Sequence, residues 1–377
     1  AYTNDELDYF LTDADPALVV CDSRRADDFK SLCGDARQLL TLNADGGGSL
    51  IAGVARCPDT FATRAVGPEG MAALLYSSGT TGKPKGIMLT HGNLIANARV
   101  LVDYWGFSAS DRLLHALPVF HVHGLFVAIG CVLMSGASMR WLQRFDAGSV
   151  IDELEACTVM MGVPTYYTRL LAQSTFDASR CASMRLFISG SAPLLADTFY
   201  AFEQRTGQRI LERYGMTETG MNTSNPLRGE RRAGTVGFPL PGVSLRITGS
   251  DGSELGPGEV GSLQVKGPNV FPGYWNMPEK TAEDFTDDGF FITGDQGVVD
   301  AEGYVSIVGR AKVMVISGGL YVYPNEVELL IDALPGVRVS AVIGLPHADF
   351  GEAVVEVVVA EPGAELVADA IIDEVRS

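Results

Sequence analysis

The chain has 377 residues, 46% hydrophobic and 20% charged, with a formal net charge of −18 and an isoelectric point near 4.6. That length suits two or three domains of roughly 100–200 residues each, with the composition of a soluble globular protein that has large cores. The acidic balance argues against nucleic acid or an anionic membrane surface as a general partner.

Residues 1–70 read as the tail of a domain. Leu7-Asp8-Tyr9-Phe10-Leu11 predicts a short helix face, Ala17–Cys21 a buried strand, and Gly46-Gly47-Gly48 a loop. The N-terminal Ala1-Tyr2-Thr3-Asn4-Asp5-Glu6 lacks the basic-then-apolar order of a signal peptide. No run of about 18 apolar residues predicts a membrane span. Cys21, Cys33, Cys57, Cys131, Cys157 and Cys181 are scattered without Cys-x-x-Cys spacing, as in a reducing cytoplasm.

Between 71 and 215, apolar strands alternate with amphipathic helices. Strands are predicted at Met71–Leu75, Ile87–Leu89, Leu113–Leu117, Ala137–Leu142, Thr158–Val163, Leu186–Ser189 and Ile210–Glu212. Helices are predicted at Asn93–Asp103, Gly124–Met134, Val150–Ala156, Thr165–Ala172 and Ala196–Arg205. The alternation predicts βαβ units, a mainly parallel sheet flanked by helices, and ligands at the carboxyl ends of its strands. From about 235 to 309, frequent turns such as Asp251-Gly252 and Glu302-Gly303 predict a β-rich subdomain. A small α/β unit follows over 310–377, with a helix at Asn325–Ala333 and strands at Val339–Gly344 and Ala353–Ala360.

The strands around residue 80 enclose Ser77-Ser78-Gly79-Thr80-Thr81-Gly82-Lys83-Pro84-Lys85-Gly86. Glycines let backbone N–H groups turn inward, and hydroxyls and two ammonium groups add donors, so a polyphosphate suits this loop. A flexible surface turn is the alternative. The spacing is not that of the common NTPase P-loop, because Ser77 stands where its first glycine belongs and Pro84 follows Lys83.

Glu212-Arg213-Tyr214-Gly215-Met216-Thr217-Glu218-Thr219 runs from a strand into a turn with a threonine and a carboxylate. Thr-Glu serves as a helix cap or, beside a polyphosphate, Glu218 holds Mg²⁺. Asp295, after Thr293-Gly294, is a turn former or an acceptor for a ribose diol. Ser189-Gly190-Ser191-Ala192 is a strand-to-helix turn without the glycines of a nucleophile elbow. His121-Val122-His123 raises zinc, but no matching Cys or His cluster accompanies it. Ser317-Gly318-Gly319 is a glycine turn before a helix. Arg169 follows the strand end Val163 by one helical turn, either on the surface or as a buried, bidentate partner for a carboxylate.

The order of residues from Ser77 to Gly86 resembles the phosphate loop of the adenylate-forming acyl-CoA synthetase superfamily, and the resemblance extends over essentially the whole chain. It implies a large AMP-binding domain at 1–309 and a small mobile α/β domain at 310–377, with ATP, Mg²⁺ and CoA as ligands. Ser77, Ser78, Gly79, Thr80, Thr81, Gly82 and Lys83 would cradle the phosphates, Thr80 and Lys83 being catalytic with Thr217, Glu218 and Lys312. Glu218 would be the metal ligand. Tyr214 would pack on adenine, together with Glu212, Gly215 and Met216. Asp295 and Arg310 would take the ribose or phosphate. Ser189, Gly190, Ser191 and Ala192 would wall the adenine and acyl pockets, Gly318 and Gly319 would line the pantetheine tunnel, and Lys312 would be the hinge.

Arg185–Pro193 and Glu212–Asn225 are similar to the malonyl-CoA synthetases within that superfamily. The similarity implies malonate, with methylmalonate as an alternative, and contacts from His121, Arg169, Ser189 and Met221. Activation would proceed through an acyl-adenylate, releasing pyrophosphate and then AMP. A ligase for an aryl or fatty acid, a carrier-loading adenylation domain and a non-catalytic nucleotide binder are the other readings. Relatives extend beyond both ends of this chain and carry a further lysine after its last residue, and Val313 departs from the hinge pattern. The expectation is a monomer or weak homo-oligomer with weak adenylation by this polypeptide alone.

Overall fold

Strands covered on both faces read as unbroken apolar runs, and Val159–Gly162 and Leu186–Ser189 have all four residues buried. The computed structural model describes residues 2–34, 37–77, 84–310, 315–318, 320–322, 324–332, 334–361 and 363–376. The chain forms two compact units, Ala1–Gly67 and Pro68–Ser377.

In the first unit, helix α1 (Asn4–Ala14) starts with a reciprocal cap. Thr3 Oγ1 accepts from Glu6 N at 3.3 Å, and Glu6 Oε2 accepts from Thr3 N at 2.7 Å. Leu11 of α1 packs with Val19 of β1 (Leu18–Cys21) and Cys33 of α2 (Ala26–Cys33). Strand β2 (Gln38–Thr41) pairs parallel to β1, and α3 (Ser49–Val54) follows. The strand predicted as buried is only half so: Val19 and Cys21 are inside, Leu18 and Val20 outside. A two-stranded sheet packed on one face leaves alternate side chains exposed.

The second unit opens with an antiparallel hairpin of β3 (Met71–Ser77) and β4 (Lys85–Thr90), and α4 (His91–Tyr104) follows directly. Five parallel strands come next: β5 (Arg112–His115), β6 (Ser138–Trp141), β7 (Val159–Gly162), β8 (Leu186–Ser189) and β9 (Leu211–Met216). Antiparallel strands β10 (Gly220–Ser224) and β11 (Phe238–Pro239) complete a seven-stranded sheet ordered β11-β10-β9-β8-β7-β5-β6. Alternate residues face two cores. Leu113, Val159, Met161 and Ile188 enter one, while Leu114, Met160 and Phe187 enter the other. The second core is filled by α6 (Ala147–Glu153), α7 (Pro164–Leu171) and α8 (Ala196–Thr206) through Val150, Tyr167 and Phe202.

The helix predicted at Gly124–Met134 is two pieces, a π-helix at His123–Ala128 and α5 (Ile129–Ser135). Gly124 lies so close to the Pro118 carbonyl that any Cβ there would run into it. A four-stranded antiparallel sheet follows, ordered β12 (Ser244–Thr248), β13 (Gly261–Lys266), β14 (Phe291–Val299), β15 (Val305–Arg310), with α9 (Pro278–Asp284) between β13 and β14. The last sheet is ordered β17-β16-β19-β18 and comprises β16 (Val315–Ser317), β17 (Leu320–Val322), β18 (Val337–His347) and β19 (Gly351–Ala360). Helices α10 (Pro324–Asp332) and α11 (Ala368–Arg376) give it a core of its own around Ile331, Val337, Val342 and Ile371.

An ion pair between a part-exposed arginine and a buried carboxylate ties the end of α4 to the main sheet. Arg185 donates to Asp111 at 2.7 and 2.8 Å and to the carbonyls of Trp105 and Gly106 at 3.1 Å each. Burial pushes the Asp111 carboxyl up, but the bonds from Arg185, Thr158 and Ser108 outweigh it and hold it below the usual carboxylate range. A depressed folded pKa contributes stability above the unfolded value, lost as pH falls through the folded one. Arg185→Ala leaves a carboxylate only 4% exposed without its cation. The expected loss is on the order of 3 kcal/mol near pH 7. Urea denaturation should show the gap from wild type narrowing in acid.

Candidate nucleotide and acid site

Hairpin register brings the two ends of the predicted phosphate loop side by side, with Ser77 opposite Lys85. Ser78, Gly79, Thr80, Thr81, Gly82 and Lys83 lie outside the described residues, as do Lys312 and Gly319. Lys85, expected beside Lys83 as a phosphate donor, lies over the Tyr274 ring at 4.4 Å and 4.0 Å from Asp284. Its charge is engaged inside the fold because β4 packs against the chain at Gly273–Trp275, where Trp275 N donates to Gly86 O at 2.7 Å.

The Thr217-Glu218-Thr219 turn joins β9 to β10, so the helix-cap reading falls: no helix follows it. Gly220 closes the turn at φ +59°, in the left-handed region that glycine tolerates. Glu218 is buried, and its carbonyl accepts from Phe271 N at 2.8 Å. Two residues before Met216, Tyr214 donates its hydroxyl to the buried Asp295 carboxylate. Asp295 sits on β14 directly opposite Arg310 on β15. The adenine and ribose candidates are thus neighbours although 81 residues separate them.

After β8 the chain turns through Ser189, which is fully buried, to Ser191, a non-glycine residue at φ +71°. Such a backbone costs roughly 1–3 kcal/mol and persists only where surrounding structure holds it. Here Ser191 Oγ lies 3.2 Å from His123 Nδ1. Two residues on from Ala192, Leu194 N donates to Glu212 Oε1 at 3.0 Å. Burial pushes the Glu212 carboxyl up to about 8, more than the Leu194 bond and nearby Arg213 pull it down.

Arg213 is 2% exposed. Its guanidinium lies flat against Gly190, where a Cβ would collide with it. His121, His123, Ser191, Arg213, Thr217 and Met221 line a cavity of about 130 Å³, with Gly215, Met216 and Gly318 also on its wall. Burial keeps the His121 and His123 imidazoles neutral, and the Arg213 charge lowers His123 further. This is a small compartment with one buried cation in its wall.

Of the two readings of Arg169, the structure gives the surface one. Its side chain is 47% exposed and stands 3.6 Å from Asp349. Thr165, Tyr167 and Leu170 are the inward residues of α7, which leaves Arg169 on the outer side. Sequence reasoning quoted Arg213 and His123 within motifs but gave neither a role. The signal for Arg213 was its place directly after the predicted strand Ile210–Glu212, which the structure extends through it as β9.

A family model described as AMP-binding enzyme matches residues 1–275, and the chain belongs to that family. It is 37% identical to a malonate–CoA ligase of Arabidopsis thaliana over 97% of this chain and 64% of that protein. It is 41% identical to a probable CoA ligase of Humulus lupulus over 79% of this chain and 52% of that one. The chain therefore spans between about half and two-thirds of these curated relatives. The ATP-bound structure of MatB from Rhodopseudomonas palustris superposes with a TM-score of 0.82 at 53% identity, covering 100% of this chain and 75% of that one. A malonyl-CoA ligase in a product complex with methylmalonyl-CoA and AMP gives 0.85 at 38% identity, covering 99% and 79%. The fold is the acyl-CoA synthetase-like α/β fold. Among the described residues, no helix is long and apolar enough to cross a membrane.

A raised folded pKa at Glu212 means the unfolded chain ionises first. Stability is lost progressively between its ordinary value of 4.5 and about 8, then levels off. Glu212→Gln keeps the shape and removes that titration. The melting temperature of the variant relative to wild type should climb across this window and stay flat above it. A difference independent of pH would show that the buried carboxyl does not titrate late.

Proposed function

We propose that this chain carries the nucleotide- and acid-binding part of an ATP-dependent acid–CoA ligase, with malonate as the acid and methylmalonate as a second substrate. The observation that carries the choice of acid is the buried guanidinium of Arg213 in the cavity wall. A guanidinium fork binds a planar carboxylate bidentately, and malonate keeps one carboxylate free while the other is activated. The malonate–CoA ligase relatives support the same reading.

A carboxylate is unreactive toward a thiol because oxide is a poor leaving group. In the proposed reaction one malonate carboxylate attacks the α-phosphorus of ATP, forming the acyl-adenylate and releasing pyrophosphate. The CoA thiol then attacks the acyl carbon and AMP departs. The Tyr214 ring would pack on adenine while its hydroxyl, bonded to Asp295, holds that carboxylate for the ribose. The loop from Ser77 to Lys83, with Thr217, would take the phosphates. Gly318 and Gly319 would line the path of the pantetheine arm, and Arg310 and Lys312 would lie where a small domain, 310–377, meets a large one, 1–309.

Among the described residues no group of three His, Cys, Asp or Glu side chains could cage a metal. One buried carboxylate, Glu218, suits an Mg²⁺ that arrives with the nucleotide and takes most of its ligands from phosphate and water. Bound there, it would neutralise charge on the phosphates. We place the protein in the cytoplasm, as a monomer or weak homo-oligomer; its six cysteines are free thiols.

The test is a panel of malonate, methylmalonate, propionate and an aryl acid, read by thioester formation, with ATP binding followed separately. Malonate should be preferred over propionate. Arg213→Ala should lower kcat/KM for malonate by roughly 100-fold, about 3 kcal/mol, with ATP affinity retained. Arg169 is the outer candidate, three residues along α7 from Tyr166 on the cavity wall; Arg169→Ala should cost roughly tenfold, as for one exposed charged contact. Unaltered malonate use by Arg213→Ala would overturn the assignment.

A further inference from the structure

Three buried side-chain amides converge beneath the Thr217–Gly220 turn. Asn93, Asn97 and Asn269 are 8%, 8% and 4% exposed. The first two lie one helical turn apart on α4, hence on one face. Asn93 donates to the carbonyls of Pro268 and Val270 at 2.9 and 2.8 Å, and its Oδ1 caps α4 through Thr90. It fixes the segment that carries Asn269.

Asn269 reaches from that segment to the turn. Its Nδ2 donates to Thr219 O at 2.8 Å and to Asn222 Oδ1 at 3.1 Å. Two residues on, Phe271 N holds the Glu218 carbonyl at 2.8 Å. Asn97 closes the far side: its Nδ2 donates to Met221 O at 2.9 Å and its Oδ1 accepts from Met221 N at 3.1 Å. Gly220 sits so close that a Cβ would stand 2.7 Å from Asn97 Oδ1. The same three amides line a cavity of about 10 Å³ together with Thr217.

We propose that Asn97 and Asn269 are positioning residues for Glu218, holding the turn backbone so that its carboxylate meets the metal that accompanies the nucleotide. Neither side chain lines the larger cavity that holds Arg213. Each grips main-chain atoms just after Glu218, Asn269 at Thr219 and Asn97 at Met221, so a turn that is otherwise only a hairpin connection is tied to α4 and to the 268–271 segment. This rests on the functional reading above, and the test separates the two.

Mn²⁺ serves as the probe, its free signal followed by electron paramagnetic resonance during titration of protein with and without ATP. Asn97→Asp and Asn269→Asp keep shape but set a carboxylate against carbonyl oxygens. Each should weaken Mn²⁺ binding to the protein–ATP complex by about tenfold, the low end for loss of an outer-shell partner. Metal-free ATP affinity should stay within about twofold of wild type, and melting should remain cooperative. Asn269→Ser, which keeps an uncharged donor but is too short to reach Thr219 O, is read by the same criterion should the aspartate variants not fold. Wild-type Mn²⁺ affinity in a folded variant, or equal losses with and without metal, would overturn the positioning role. A wild-type protein that binds no ATP would instead overturn the functional reading, and this inference with it.

Discussion

Strand β9 is the constraint on which the site depends. It lies where the main sheet changes from parallel to antiparallel pairing, with β8 on one side and β10 on the other. Three successive residues on it hold three parts of the site. Glu212 braces the loop after β8 through Leu194, Arg213 faces the small cavity beside Gly190, and Tyr214 reaches Asp295 on another sheet. Because side chains alternate along a strand, one slip of register would exchange all three. The burial of Leu211, Glu212 and Arg213, together with pairing on both sides, forbids that slip.

The electrostatics follow from the same strand. A chain with net charge −18 must present an anion-binding site locally. Arg213 has Glu212 as its sequence neighbour, and an ionised carboxylate there would compete with any substrate for its charge. Burial holds Glu212 protonated to about pH 8, and holds His121 and His123 neutral. Neither Glu212 nor the two histidines then offsets the field of the Arg213 cation in the cavity wall at neutral pH. In a low-dielectric pocket that field is far stronger than at the surface.

The fold was legible where a motif is contiguous. The hairpin around residue 80, the strand–turn at Glu212–Thr219 and the alternation from 113 to 212 depend on local periodicity and turn chemistry, which a sequence displays directly. What a side chain meets across the fold was not legible in the sequence. Lys85 and Lys83 look alike in the loop, yet Tyr274 and Asp284, nearly two hundred residues on, decide where Lys85 goes. Arg169 and Arg213 both stand near strand ends. The inward face of α7 and the missing side chain at Gly190, against which the Arg213 guanidinium lies, separate the outer arginine from the inner one. The π-helix at His123 has no periodicity signature, since one widened turn leaves the apolar pattern of a helix nearly intact.

The segment after 315 shows a different balance of forces. It has its own sheet and its own core, centred on Ile331 and Val342. It reaches the cavity through Gly318 and Leu320, and Asp349 approaches Arg169 at 3.6 Å with both side chains about half exposed. An exposed ion pair of that kind contributes at most about 1 kcal/mol. A segment with its own core keeps its internal packing whether or not that ion pair forms. In the proposed two-step reaction that matters, because phosphoryl chemistry and thiol attack need different groups at one cavity. The Arg169–Asp349 pair, exposed to water on both partners, adds little that would favour one set of groups over the other.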